Sequence, residues 1–144
     1  MDEVLESFKH VPNYSLMKFN IQIDQQGDFY SDKYLIHSVI QNLVENPIKY
    51  IDLSKPEHIL NVTIKTNVSG ATLIFQDNGM GIPEKHQKKI FDMFYKVNDA
   101  SNGSGLGLYL VKVAVDKLKG SIMLRSEVGK GSEFKVVIPA RKQS

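Results

Sequence analysis

Two short glycine-rich segments, residues 77–82 and 103–107, limit the possible folds of this chain more than any other part of its sequence. The first reads Asp-Asn-Gly-Met-Gly-Ile and follows an alternating apolar pattern that predicts a β-strand. The second, Gly-Ser-Gly-Leu-Gly, precedes an apolar pattern with helical spacing. We therefore expect two loops with accessible backbone, each at a junction between regular elements.

The rest of the chain reads as strands and helices that do not alternate strictly. Helices are predicted at residues 33–50, with Ser31 or Asp32 as the cap, at 83–90 and at 106–118. Strands are predicted at residues 17–23, 59–66, 71–76, 121–126 and 133–138. This order favours an α+β fold, a two-layer α/β sandwich in which helices cover one face of a mixed five-stranded sheet.

Composition excludes several classes of function. The chain has 144 residues, which suits a single domain over residues 1–144 with its core at about 15–140. Its 18 basic and 16 acidic residues give a net charge of only +2, too little to favour nucleic acid or an anionic membrane surface. It has no cysteine, and no apolar run approaches the roughly 20 residues of a membrane-spanning helix.

The first long helix carries amides on a face that should be apolar. Asn46 falls on the apolar arc, Asn42 lies one turn earlier at its edge, and Lys49 follows one turn later. A buried amide is costly unless a partner satisfies it, and an amide oxygen can ligate Mg²⁺ that also holds phosphates. The alternative is a structural asparagine that bonds to the backbone.

Asp77 ends a predicted strand, where a carboxylate can accept a hydrogen bond from an amine such as that of adenine. Gly79 and Gly81 would let the backbone approach a flat base, and Met80 and Ile82 would offer apolar contact. Taken alone, Asp-Asn-Gly is also an ordinary turn sequence.

Gly103, Gly105 and Gly107 lead into the second long helix. Exposed N–H groups at a helix N-terminus favour phosphate binding, although a merely flexible loop would have the same composition. The segment is neither a Walker A loop nor a dinucleotide fingerprint, because the residues those motifs require are absent.

Four segments in this order resemble the N, G1, F and G2 boxes of the ATP-binding catalytic domain of bacterial two-component sensor histidine kinases. These kinases belong to the GHKL (Bergerat) ATPase superfamily. The segments are residues 42–50, 77–82, 90–96 and 103–107, and the resemblance extends over about residues 15–140. It implies the Bergerat form of the sandwich, with Mg-ATP as the ligand.

The resemblance also implies roles for individual residues. Asp77 would bind adenine, Asn46 would ligate Mg²⁺, and Asn42 and Lys96 would serve catalysis, while residues 97–105 would form a short ATP lid. The implied nucleotide-binding residues are Asn42, Asn46, Lys49, Tyr50, Asp77, Gly79, Met80, Gly81, Ile82, Phe94, Tyr95, Lys96, Gly103, Ser104, Gly105, Leu106, Gly107 and Leu108.

The implied partners follow from what the chain lacks. None of its four histidines is followed by the acidic residue of the family's phosphoacceptor site. The γ-phosphate would therefore pass to a histidine on a separate dimerisation domain, with a response regulator downstream and no nucleic acid or membrane contact from this segment. We expect the chain in the cytoplasm, either free or as the cytoplasmic part of a membrane-anchored kinase.

Pro47 departs from the family pattern, which has alanine there. Proline inside a helix removes one backbone bond, so we expect a kink or early loosening after Asn46, which would disturb Lys49 and Tyr50. Asn42 stands where gyrase-type ATPases carry a glutamate base, which disfavours autonomous hydrolysis. Glu45 is adjacent to Asn46 and is predicted to point about 100° away from it, so it is not the matching base. Alternatives are a nucleotide-sensing or scaffold module without catalysis, and an anti-sigma-factor-type kinase.

Overall fold

The computed structural model describes residues 2–97 and 105–141, and it confirms the predicted sandwich of one sheet and one helical layer. Most predicted limits agree with those of the structure to within three residues. The elements are α1 (Asp2–Ser7), a 3₁₀ turn (Tyr14–Leu16), β1 (Met17–Gln26), α2 (Lys33–Lys49), β2 (His58–Asn67), β3 (Gly70–Asp77), α3 (Glu84–Gln87), α4 (Gly107–Lys117), β4 (Ser121–Glu127) and β5 (Gly131–Pro139).

The strands form one mixed sheet in the order β1-β2-β3-β5-β4. Strands β1 and β2 run parallel because α2 carries the chain back to the same end of the sheet, whereas the other neighbours are antiparallel. In this register Asp77, at the end of β3, pairs with Leu60 on one side and with Ser132 on the other. The end of β3 is thereby enclosed between two strands.

The core lies between the inner face of the sheet and the helices α2 and α4, which pack against each other. Phe75 and Phe134 from the sheet and Leu43 from α2 are almost completely buried there. Burying a side chain of this size contributes about 1.5–3 kcal/mol to stability. Asp32 caps α2 by accepting from the N–H groups of Tyr34 at 2.9 Å and Leu35 at 3.1 Å, which decides between the two predicted caps.

The short third helix is smaller than predicted. It begins at Glu84 and ends at Gln87, and turns follow where the prediction extended the helix to Ile90. Pro83 stands before the helix because its ψ of 141° is extended. Within the described residues, none of the helices has the length and apolar character needed to span a membrane.

Helix α2 continues through Pro47 to Lys49, so the expected loosening after Asn46 is wrong. Proline removes only its own N–H donor, the one that would have bonded to the carbonyl of Leu43. The donors beyond it remain, and the N–H of Tyr50 bonds to the carbonyl of Asn46 at 3.1 Å. Pro47 is also buried, and its apolar contacts offset part of the lost bond.

Candidate functional site

A cavity of about 230 Å³ lies between the C-terminal half of α2, the end of β3 and the first turn of α4. Its walls are mostly apolar, and a few polar groups converge on it from different elements, which is typical of a small-molecule site. The apolar lining comes from Pro47, Met80, Ile82, Pro83, Ile90, Val97, Leu108 and Val128, and the polar lining from Asn46, Tyr50, Asp77, Tyr95 and Ser132.

Asp77 is the one carboxylate among the described residues that line this cavity. Its Oδ1 accepts from the N–H of Gly79 at 2.8 Å, and the backbone of Ser132 donates a second hydrogen bond. Burial raises the pKa of the Asp77 carboxyl above its ordinary value, while these two bonds and the positive charge of Lys55 act in the opposite direction. The carboxylate keeps further lone pairs for an N–H donor of a ligand.

Gly79 and Gly81 bring the loop after β3 close to neighbouring backbone. A Cβ on Gly81, which has a positive φ of 75°, would lie 2.1 Å from the carbonyl oxygen of Glu127. A Cβ on Gly79 would lie 3.0 Å from the carbonyl oxygen of Tyr50. The protein itself therefore requires glycine at position 81, whereas a Cβ at position 79 would need only a small shift of its neighbours.

The hairpin between β4 and β5 holds this loop in place. The N–H of Gly129 donates to the carbonyl of Met80 at 2.9 Å, and the N–H of Ile82 donates to Ser126 Oγ at 2.8 Å. Ser126 Oγ also lies 2.7 Å from Ser132 Oγ, and the backbone of Ser132 is the one that bonds to Asp77. The hairpin that includes β4, an edge strand of the sheet, thus holds one wall of the cavity.

A second cavity of about 40 Å³ shares part of its lining with the first and is more polar. Asn42 and Asn46 reach it from α2, and Gly107 reaches it from α4. The Asn42 amide nitrogen donates back to the carbonyl of Ser38 at 2.8 Å, so its oxygen is left on the side of Gly107. The side chain of Asn46 has no hydrogen bond to any other residue that the structure describes.

Glu45 and Lys49 also line this smaller cavity and form an ion pair of 3.0 Å. Glu45 thus borders the smaller cavity, paired with Lys49, and its predicted unsuitability as the base stays a prediction. Lys49 and Tyr50 remain beside the cavities despite Pro47. An ion pair and two amides thus border one small polar space.

The segment before the predicted lid is hydrogen-bonded to the end of the lid. The N–H of Phe94 donates to the carbonyl of Gly105 at 3.0 Å, and a Cβ on Gly105 would lie 2.6 Å from the Phe94 carbonyl carbon. Tyr95 lines both cavities, and its hydroxyl bonds to Nδ1 of His86. Phe94 is 62% exposed, and neither it nor Lys96 lines either cavity.

The start of α4 faces the smaller cavity. The cavity is lined here by Gly105, Gly107 and Leu108. Leu106 stands just before the helix, and its apolar side chain cannot cap the helix. The first N–H groups of α4 consequently lack helical partners and carry partial positive charge. The predicted ligand residues Gly103 and Ser104 lie outside the described residues.

A family comparison agrees with this arrangement. The sequence profile of the histidine kinase-, DNA gyrase B- and HSP90-like ATPases matches residues 31–142, which include both cavities. The chain belongs to this ATPase family.

Individual members of the ATPase family are also similar to this chain. Sensor protein RprX of Bacteroides fragilis is 39% identical over 119 residues, which are 78% of this chain and 22% of RprX. Sensor protein SrrB of Staphylococcus aureus is 37% identical over 105 residues, 70% of this chain and 18% of SrrB. The chain thus spans about a fifth of the length of these two relatives.

A solved structure of a histidine kinase catalytic domain supports the fold assignment. The catalytic domain of ThkA superposes with a TM-score of 0.75 and 25% identity, over 96% of this chain and 90% of that domain. The agreement extends along nearly the whole of both chains, so the sandwich described here is the fold of that catalytic domain.

Sequence reasoning missed two polar residues at the site of this ATPase-family chain. Ser132 reaches Asp77 because β3 and β5 pair in a register that places them directly opposite. Lys55 donates from the loop after α2 to the carbonyl oxygens of Asn78 at 2.6 Å and Gly79 at 3.2 Å. In the sequence, the only indication for Ser132 was its place in the final hairpin. Nothing in the sequence marked Lys55, a single lysine in a loop.

Proposed function

We propose that this chain binds Mg-ATP as the catalytic domain of a two-component sensor histidine kinase. It then donates the γ-phosphate to a histidine on a separate dimerisation and phosphoacceptor domain. The observation that supports the proposal is that two cavities of different polarity share part of their lining. One is apolar and has a single carboxylate, and the other is bordered by amides, the Glu45–Lys49 ion pair and the N-terminus of α4. Adenine suits the first cavity, and the polar groups that border the second suit phosphate oxygens.

The larger cavity binds the base. The Asp77 carboxylate accepts a hydrogen bond from the exocyclic amine of adenine, and Met80 and Ile82 contact the ring. Guanine is rejected because it has a carbonyl oxygen where adenine has its amine, and two acceptors would then face each other. Tyr50 and Tyr95, which line both cavities, close the path between base and phosphates.

The smaller cavity receives the phosphates and their metal. Asn46 holds Mg²⁺ through its amide oxygen, a ligand type that this ion takes. Asn42 and Lys49 lie beside the phosphates, and the first N–H groups of α4 from Leu106 to Leu108 add donors. Lys96 and the lid, with Gly103 to Gly105, complete the proposed enclosure. Bound Mg²⁺ neutralises phosphate charge.

The proposed reaction is phosphoryl transfer to nitrogen. The bond between the γ-phosphorus and the bridging oxygen of ADP breaks while a phosphorus–nitrogen bond to the partner's imidazole forms. This chain supplies positioning and charge neutralisation, which carry most of the catalysis in such transfers. The attacking nitrogen belongs to the partner, so we expect the chain alone to turn over ATP poorly.

Calorimetric titration with a non-hydrolysable ATP analogue, with and without Mg²⁺, tests the binding step. Asp77→Asn should weaken binding by roughly 10- to 100-fold, since a hydrogen bond to a charged group contributes about 1.5–3 kcal/mol. Asp116→Asn is the matched control, because Asp116 is exposed on α4 and, within the described part of the chain, forms its ion pair with Lys112 at the surface. A folded wild-type chain that binds no nucleotide contradicts the proposal.

The transfer step needs a second assay. Radiolabelled ATP is incubated with the chain and a separately supplied phosphoacceptor domain, and acid-labile phosphate on that domain is measured. Transfer that depends on Asp77 supports the kinase function. Binding without transfer to any of several phosphoacceptor domains supports the nucleotide-sensing alternative instead.

A further inference from the structure

Lys55 lies outside both cavities, yet it is bonded to the loop that shapes the larger one. Its ammonium is half-buried and donates to the carbonyl oxygens of Asn78 at 2.6 Å and Gly79 at 3.2 Å. These two residues directly follow Asp77, and Gly79 is the donor to the Asp77 carboxylate. Lys55 therefore holds the same peptide units that orient the carboxylate.

A tight turn presents Lys55 to this loop. The Asp52 carboxylate accepts from the backbone N–H of Ser54 at 3.0 Å and from its hydroxyl at 2.5 Å. The N–H of Lys55 donates to the carbonyl of Asp52 at 3.1 Å. The bonds from Ser54 lower the pKa of Asp52, so the carboxylate that organises the turn stays ionised. The lysine is thus positioned by its own loop.

Asn78 fixes the other side of the contact. Its side-chain oxygen accepts from the N–H of Ile59 at 2.8 Å, and its amide nitrogen donates to the carbonyl of Glu57 at 2.8 Å. The loop after β3 is consequently tied to the start of β2, and Lys55 adds a charged donor to a backbone that is already held.

Lys55 is also the charged side chain that acts on Asp77. Burial raises the pKa of Asp77, and among the residues that the structure describes Lys55 is the one charge that lowers it. The other described ionisable groups near Asp77 are Tyr50 on α2, Tyr95 on the segment after α3, and four residues of the β4–β5 hairpin. Those four form two opposite-charge contacts, Arg125 with Glu133 at 3.9 Å and Lys130 with Glu127 at 3.5 Å.

We propose that Lys55 is a positioning residue for the adenine site: it fixes the Asn78–Gly79 backbone so that Asp77 stays aimed into the cavity. This inference rests on the proposed function, since it takes Asp77 as the adenine ligand. Lys55 touches the protein and not the nucleotide, so its effect passes through Asp77.

Three variants separate the two contributions of Lys55. Lys55→Met removes both the charge and the donor, Lys55→Gln removes the charge but keeps a donor, and Lys55→Arg keeps both. Lys130→Met is the matched control, because it removes the same charge from a nearby lysine whose side chain is 75% exposed. ADP binding is measured by calorimetry across the acid and neutral range, and folding is checked by thermal unfolding.

Lys55→Met should weaken ADP binding at neutral pH by roughly tenfold, the loss of one charge-assisted contact. Its binding should also fail at a higher pH than that of wild type, because Asp77 then takes up a proton more readily. Lys55→Gln should shift this pH with a smaller loss at neutral pH, and Lys55→Arg should resemble wild type. Wild-type affinity and an unshifted acid limb in Lys55→Met, or an equal shift in Lys130→Met, would overturn the proposal.

The carboxyl carbon of Asp77, followed by NMR titration without nucleotide, gives a readout independent of binding. Its titration midpoint should move to higher pH in Lys55→Met and should not move in Lys130→Met. If the midpoint moves as expected but wild type binds no ADP, the proposed function fails and with it the role of Lys55 in binding. If wild type binds ADP and the midpoint does not move, the inference about Lys55 alone fails.

Discussion

Replacing Gly81 by alanine should damage the site through the protein's own packing. Gly81 has a φ of 75°, and an added Cβ would lie 2.1 Å from the carbonyl oxygen of Glu127 and 2.9 Å from the Cα of Val128. Both neighbours are backbone atoms of the β4–β5 hairpin, so no side-chain rotation relieves the overlap. Either the loop after β3 or the hairpin must move.

Gly129 is the matched control for this substitution. It has a similar φ of 83° and donates to the Met80 carbonyl, but a Cβ there would meet nothing within 4 Å. A left-handed backbone costs an ordinary residue about 1–2 kcal/mol, and this cost applies at both positions. Forcing a carbon into filled space adds about 1–3 kcal/mol at Gly81 alone.

We therefore expect Gly129→Ala to lower the free energy of unfolding by about 1–2 kcal/mol and Gly81→Ala to lower it by about 2–5 kcal/mol. Urea unfolding followed by circular dichroism measures both values under one set of conditions. Gly81→Ala should also weaken nucleotide binding more than Gly129→Ala, because the displaced loop carries Met80 and Ile82. Equal losses of stability in the two variants would contradict this expectation, since the overlap at Gly81 would then contribute nothing.

Three further predictions concern other parts of the site. The folded state keeps the Asp77 carboxyl protonated to a higher pH than the unfolded state does. The free energy of unfolding should therefore fall as pH rises from the ordinary carboxyl pKa through the raised pKa of Asp77. Asp77→Asn should flatten this part of the pH profile measured by urea unfolding. Pro47→Ala should raise the free energy of unfolding by about 1 kcal/mol, because the helix penalty of about 3 kcal/mol exceeds the loss of two buried methylenes and the added chain entropy; a less stable variant by urea unfolding would contradict this. His86→Gln and Tyr95→Phe should each destabilise, and their double-mutant cycle should show a coupling of about 0.5–1.5 kcal/mol, with simple additivity as the opposing result.

Much of the fold was predictable because its signals are local. Strand alternation and helical spacing depend on residues a few positions apart, so the strands, α2 and α4 were found within a few residues of their limits. The predicted limits were wrong where contacts with distant segments decide where an element ends. Helix α3 ends at Gln87, whose amide bonds to the carbonyls of Ile82 and Ser126, and Ser126 is far away in the sequence.

The candidate site divides in the same way. Asp77, Asn46 and the glycines stood out because their types and spacing are unusual beside apolar runs, and the cavities do lie among them. Phe94 and Lys96 were predicted ligand residues, yet both side chains lie at the surface. Phe94 also has a left-handed φ of 64°, which a residue pattern does not reveal. Their proposed contact with nucleotide stays a prediction.

Local patterns along the chain predicted most of the helices and strands, the family resemblance and the residues suited to adenine, phosphate and Mg²⁺. The groups that surround Asp77 depend instead on how distant segments pack together. Strand register places Ser132 opposite it, and a turn in the α2–β2 loop brings Lys55 to the next two carbonyls. These contacts join segments far apart in the chain. They depend on how strands pair and loops close, and not on the pattern within any one segment.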